Sequence, residues 1–428
     1  MFLLGNTSRM ILPVKSAPGA LFHAEFRTLF HVKQRSKRVL TYKKNLCIMG
    51  GAKLPKNRGL ERRISPSRDN VTMNQAEMQG VPGERLQDVD SRGNTRPWED
   101  KKMRNELLAM AYDSIDKAKA CRLRECGRCL TYRVYPDGTR KLDSMVSCRV
   151  RLCPICSWRR SLKIFGQTKE IVDTLNTRYG YRWVMLTLTV RNVDSSGLNG
   201  CLDSLFKAWN AFARGADFRR AVKGWYRSLE VVHDCQPIIT RAMWHGDAER
   251  HIYARGKWYK AHGYHIGDAN PQYDTYHPHF HVLLAVPRSY FKGGAYLSQA
   301  RWAALWQQAL GVDYDPHVDV RTVKGDTMDD IAKAVAEVSK YASKDADYVI
   351  PDDWDLTVET VRTLDLALCR RRLVAYGGLM RAVKRELGQD DAETGDLVHL
   401  DVDERRDEDY RLVSYWWWPG YRQYREVL

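Results

Sequence analysis

Six of the ten cysteines in this 428-residue chain fall between Cys121 and Cys156, and their spacing constrains the fold more than any other feature. Cys126-Gly-Arg-Cys129 and Cys153-Pro-Ile-Cys156 are two C-x-x-C pairs. Two such knuckles can set four thiolates tetrahedrally around one Zn²⁺, which forces the intervening chain to fold back on itself. The segment YRVYPDGTRKL between them has a turn signal at Asp137-Gly138, so a hairpin is expected there. Cys121 or Cys148 can replace a ligand of the set. A disulfide framework calls for an oxidising compartment, yet no secretory segment is seen; a redox C-x-x-C needs only one copy. Residues 101–165 are therefore read as a helix followed by a small zinc-binding module.

The chain carries a net charge of +17 with a pI near 9.4, so a polyanion is the natural partner. The charge is uneven. Residues 1–70 hold 15 Lys and Arg against Glu25, Glu61 and Asp69, which leaves only ~5 of the excess for the rest of the chain. Residues 1–100 lack a sustained period of 3.6 or 2 and read as a basic, disordered extension and linker. No apolar run is long enough for a membrane span, and the expected location is cytoplasmic. Arg149, Arg151, Arg159 and Arg160 flank the second knuckle as DNA contacts or as a solvated basic face.

From Tyr181 the pattern alternates. RWVMLTLTV, WYRSLEVVHD, HPHFHVLLAV and VDVRTVKG read as strands; LDSLFKAWNAFARG, SQARWAALWQQALG and MDDIAKAVAEVSKYASK read as amphipathic helices. WEDKKMRNELLAMAYDSIDKAKACR, before the knuckles, also has helical spacing. The order predicts an α+β fold with a central antiparallel sheet and helices on one face over 180–350, interrupted by an insertion at 235–274. Residues 351–428 are expected as a C-terminal helical and aromatic extension.

Within this framework, His277-Pro-His279-Phe-His281 carries the chemistry. Residues two apart in a strand share a face, so His279 and His281 present two imidazoles to one cation, and His277 has the same parity. Glu230, in the preceding strand, adds a hard oxygen ligand suited to Mg²⁺ or Mn²⁺ if the two strands pair. In EVSKYASKDADY, Glu337 and Tyr341 lie four apart on one helical face, and Lys344 and Tyr348 continue the stripe.

Three strings in order, MLTLTV at 185–190, YHPHFHVLLAV at 276–286 and EVSKYASKDADY at 337–348, resemble the motifs of the plasmid rolling-circle replication initiators of the HUH endonuclease superfamily. The resemblance spans about residues 120–428. It implies a ferredoxin-like nicking domain, a catalytic divalent metal on His279 and His281, nucleophilic attack on DNA by Tyr341, and activation of water by Glu337. It implies as substrate a single-stranded or extruded plasmid origin, and as partners a host helicase and polymerase. A phenol suits such chemistry because it is both nucleophile and leaving group; Lys344 is placed to depress its pKa or contact the phosphate. The competing readings are a relaxase or transposase of the same superfamily, and a non-catalytic, zinc-bearing nucleic-acid binder.

Overall fold

The computed structural model describes residues 83–427 except 91, 248–251, 253, 324–327, 340–347, 351 and 401–408. Of the expected basic extension, residues 1–82 lie outside the described residues. Beyond them the chain is ordered well before residue 100: Gly83 and Leu86 donate backbone hydrogen bonds to Glu426 and Tyr424. Pro82–Leu428 is one compact unit.

The helical pattern after Trp98 is two helices rather than one, α1 (Trp98–Tyr112) and α2 (Lys117–Glu125). Asp116 ends the run by capping: its side chain accepts from the Lys119 amide at 3.0 Å. Next come β1 (Cys129–Val134) and β2 (Arg140–Met145), the hairpin expected at Asp137-Gly138, with Gly138 at φ 82°. Helix α3 (Pro154–Tyr179) starts with Cys153 as N-cap and Pro154 in its first turn, and it ends at Gly180, φ 60°. It runs from the cysteine segment to the first strand of the large sheet, so no break falls at 165–180.

The large sheet contains β3 (Arg182–Thr189), β4 (Gly224–Asp234), β5 (Thr275–Val286), β6 (Val318–Thr322) and β7 (Val374–Gly377) in the order β6-β3-β5-β4-β7, antiparallel throughout. The remaining helices are α4 (Leu198–Arg214), the short Ala216–Ala221, α5 (Gln299–Leu310), α6 (Met328–Val338), α7 (Trp354–Leu368) and α8 (Gly378–Glu386). The α+β class and the antiparallel sheet are as expected, but the helices cover both faces rather than one. On one face Trp209 of α4 meets Phe280 of β5 at 5.8 Å between ring centroids, and Thr360 of α7 bonds His233 of β4. On the other, Thr168 of α3 bonds the Tyr376 hydroxyl of β7 at 2.7 Å, and Ser228 of β4 donates to Val338 at the end of α6. The near-continuous burial of β4 and β5 has this cause: strands covered on both sides lose the simple in-out alternation.

The C-terminal segment is not an appendage. β7 completes the large sheet, and β8 (Arg411–Trp418) and β9 (Gln423–Glu426) join the hairpin in a second sheet, β2-β1-β8-β9. In β8, Val413, Tyr415 and Trp417 point into the core. The insertion holds two short helices, Arg241–His245 and Gly256–Ala261, around its own small cluster of Ile239, Met243 and Tyr259.

Candidate metal centre on the large sheet

Pairing of β4 with β5 places Glu230 directly opposite His279 and Ser228 opposite His281. β3 lies on the other side of β5, with Thr189 opposite His279 and Thr187 opposite His281. Directly opposed residues share a face, so the carboxylate and the two imidazoles project together on the side covered by α3 and α6. Phe280, of opposite parity, packs into the aromatic core beneath α4. Period two therefore splits the strand into a chemical face and a packing face.

The convergence is close. His281 Nε2 lies 2.9 Å from Glu230 Oε2, His279 Nε2 lies 3.6 Å from that oxygen, and the two Nε2 atoms are 3.1 Å apart. Ligands at ~2.1 Å from an ion sit ~3.0 Å apart when cis in an octahedron and ~3.4 Å apart in a tetrahedron, so this triangle has the size of a metal-binding face. All three side chains are largely buried. Their outer contacts aim them. His279 Nδ1 donates to the His277 carbonyl at 3.1 Å, which leaves Nε2 for the centre. His281 Nδ1 lies 3.5 Å from Thr187 Oγ1, an orienting neighbour that a reading of the histidines alone does not supply.

His277 does not join the set: Glu230, His279 and His281 form the group, and His277 stands opposite Val232, one step further along the strand. Burial first, then His279 and Arg255, push its imidazole down to about 3. His233 faces the opposite side, between Asp274 Oδ1 at 2.9 Å and Thr360 Oγ1 at 3.3 Å, stacked on Tyr276; it is a structural histidine.

A sequence profile described as "Replication protein" matches residues 139–425. The chain belongs to the replication-protein family. A "Protein rep" of Bacillus amyloliquefaciens is 36% identical over 367 residues, which is 79% of this chain and 96% of its own length. Similar proteins of the same name come from Lactiplantibacillus plantarum, 34% identical over 76% of this chain and 91% of theirs, and from Streptococcus pneumoniae, 31% identical over 77% and 92%. No solved structure matches it. The resemblance to plasmid rolling-circle Rep proteins is thus borne out, and with it a role in initiating plasmid replication.

Other residues of this Rep protein sit as follows. Glu337 lies half-buried one residue before Val338, whose carbonyl accepts from Ser228 at 2.7 Å. Tyr341 and Lys344 lie outside the described residues. Tyr348, the further tyrosine of that stripe, is 1% exposed, and its hydroxyl donates to the Leu152 carbonyl at 2.5 Å; a phenol so enclosed serves packing rather than attack on a polymer. Arg159 and Arg160 are buried as well. Arg159 donates to the carbonyls of Leu397 and Val398, and Arg160 to those of Glu393 and Arg149, so they hold the 393–398 loop instead of facing DNA.

The sulfur positions differ from the two-knuckle reading. The group is Cys126, Cys148, Cys153 and Cys156, all buried, while Cys129 stands apart at the start of β1 opposite Trp416, with Thr131 and Ser414 as its polar neighbours. Cys129 has the right spacing, but the chain enters the strand there and turns its side chain away.

Among the described residues no helix is long and apolar enough to cross a membrane.

Proposed function

We propose that this Rep protein initiates rolling-circle replication by cutting one DNA strand at its origin, with Tyr341 as nucleophile. The observation that carries the reading is the convergence of Glu230, His279 and His281 within 3.6 Å on the central sheet of a replication protein. Two imidazoles and one carboxylate can hold a divalent ion, Mg²⁺ or Mn²⁺ in this reading, and such an ion would supply charge stabilisation to a phosphoryl group undergoing displacement.

The chain's own residues do the rest. Tyr341 Oη attacks the scissile phosphorus, the bond to the 3′ oxygen breaks, and that oxygen leaves as the 3′-OH that primes a host polymerase once a helicase opens the duplex. The DNA stays on the enzyme as a 5′-phosphotyrosyl ester, which conserves the bond energy for rejoining. Glu337, four residues earlier in the sequence, takes the proton of the water that ends the cycle. Support for the placement comes from α6: Val338 is tied to Ser228, Ser228 pairs with His281, and Tyr341 follows Val338 by three residues, a length of chain that spans at most ~10 Å. The cell's cytoplasm is the compartment this reading assigns.

The test is to incubate purified protein with Mn²⁺ and single-stranded fragments tiling its replicon, and to look for a covalent adduct on a denaturing gel. Wild type is expected to form it and Tyr341→Phe to bind DNA without forming it. Binding by wild type with no adduct across the whole tiling overturns the reading in favour of a non-catalytic nucleic-acid binder.

A further inference from the structure

We propose that Cys126, Cys148, Cys153 and Cys156 hold one zinc ion as a tetrathiolate, and that the Cys148–Cys153 loop closed by this centre clamps the chain leaving the tyrosine motif through Tyr348. Sulfur spacing is the first argument. Sγ of Cys126 lies 3.6 Å from those of Cys153 and Cys156, and Cys148 Sγ lies 3.8 Å from Cys156 Sγ. A tetrahedron with Zn–S of ~2.3 Å has edges of ~3.8 Å, whereas a disulfide would bring two sulfurs to ~2.05 Å.

Backbone geometry is the second. Cys126 is followed by Gly127 at φ 59° and Cys148 by Arg149 at φ 55°, so each thiol sits at a tight turn that doubles the chain back over the sulfur. The Cys148 amide donates to Cys126 Sγ at 3.4 Å, and the Cys156 amide to Cys153 Sγ at 3.5 Å. Such amide donors are outer contacts that hold a ligand sulfur in place against a shared centre. Four thiols that bind Zn²⁺ release four protons to solvent and leave a group of net charge −2. The side chain of Lys102, 1% exposed, donates to the carbonyls of Arg124 at 2.6 Å and Cys126 at 2.9 Å, which ties α1 to the backbone of the Cys126 turn.

The clamp follows from what lies beside the ligands. Leu152 precedes Cys153, and its carbonyl receives the Tyr348 hydroxyl at 2.5 Å, so the loop between two ligands holds the chain seven residues beyond Tyr341. This second half rests on the proposed role of Tyr341; the zinc assignment does not.

The experiment measures zinc per chain on purified full-length protein, as isolated and after reconstitution of metal-free protein with zinc sulfate. Wild type and Cys129→Ser are expected to hold one zinc ion, and Cys148→Ser to lose most of it. Equal retention in both variants, loss in Cys129→Ser instead, or wild type that takes up no zinc overturns the site. Substitution of cobalt guards against misfolding as the cause of loss: wild type and Cys129→Ser should share one tetrahedral thiolate spectrum, and a spectrum without thiolate character overturns the ligand set. Tyr348→Phe should keep its zinc and bind origin DNA as tightly as wild type, yet form adduct several-fold more slowly at saturating DNA. An unchanged rate overturns the clamp and leaves zinc and the nicking reading standing.

Discussion

Glu230 is the residue on which the metal reading turns, because it gives an otherwise imidazole pair its charge. A carboxylate buried on a sheet face is costly unless something compensates it, and the Nε2 atoms of His279 and His281 lie 3.6 Å and 2.9 Å from its Oε2. Glu230→Ala is expected to lower Mn²⁺ affinity at least tenfold, measured by calorimetric titration of the full chain, with zinc content unchanged. If Mn²⁺ binds equally well, the divalent ion belongs elsewhere. Period two made His279 and His281 legible from sequence, and a neighbouring strand made Glu230 a candidate. The same parity included His277, which the structure sets apart from the group, because parity fixes the face but not the distance along the strand. Cys148 was harder to separate from Cys129. That choice depends on Arg149 entering the left-handed region and on β1 pairing with a strand nearly 300 residues away, neither of which C-x-x-C spacing encodes.

At the scale of elements, the contact that matters is α6 against β4. Ser228 is 1% exposed, and its hydroxyl donates to the Val338 carbonyl at 2.7 Å where the helix gives up its own backbone partners. Ser228→Ala removes that donor and leaves the carbonyl short of a bond, a loss of about 1 kcal/mol. The expected outcome is a modestly lower melting temperature and a several-fold slower adduct formation at saturating DNA, with DNA affinity unchanged. Unaltered adduct kinetics would mean the anchor has no part in presenting the tyrosine motif. The strands and most helices were legible because each is long and periodic. The break at 113–116 was not, since a single capping aspartate interrupts a run whose apolar spacing continues across it. Helices on both faces were missed for a related reason: sequence order alone does not say which side of the sheet a crossover takes.

Taken as a whole molecule, the Pro82–Leu428 unit is closed by its ends. β8 pairs with β1 from Cys129↔Trp416 to Val134↔Arg411, and the Tyr424 hydroxyl donates to the Gly127 carbonyl at 2.5 Å, beside the Cys126 turn. A Cβ on Gly127 would come within 3.3 Å of that hydroxyl and 2.8 Å of Ile155, so the turn is closed partly by the C-terminal strand. The cysteine module thus takes two of its four strands from the far end of the chain, and the β1–β2 hairpin left alone has too little buried surface to be stable. Deletion from residue 411 onward should therefore act on the thiol cluster although it removes none of its cysteines. The truncated protein is expected to lose zinc to a chelator at least tenfold faster than the full chain, followed with a colorimetric zinc indicator. Its large sheet should persist, because β3 to β7 lie wholly within the retained residues, and far-UV circular dichroism will report this. Chelation at the full-chain rate would show that α1, α2 and the start of α3 suffice to hold the cluster, and that the C-terminal strands serve another surface.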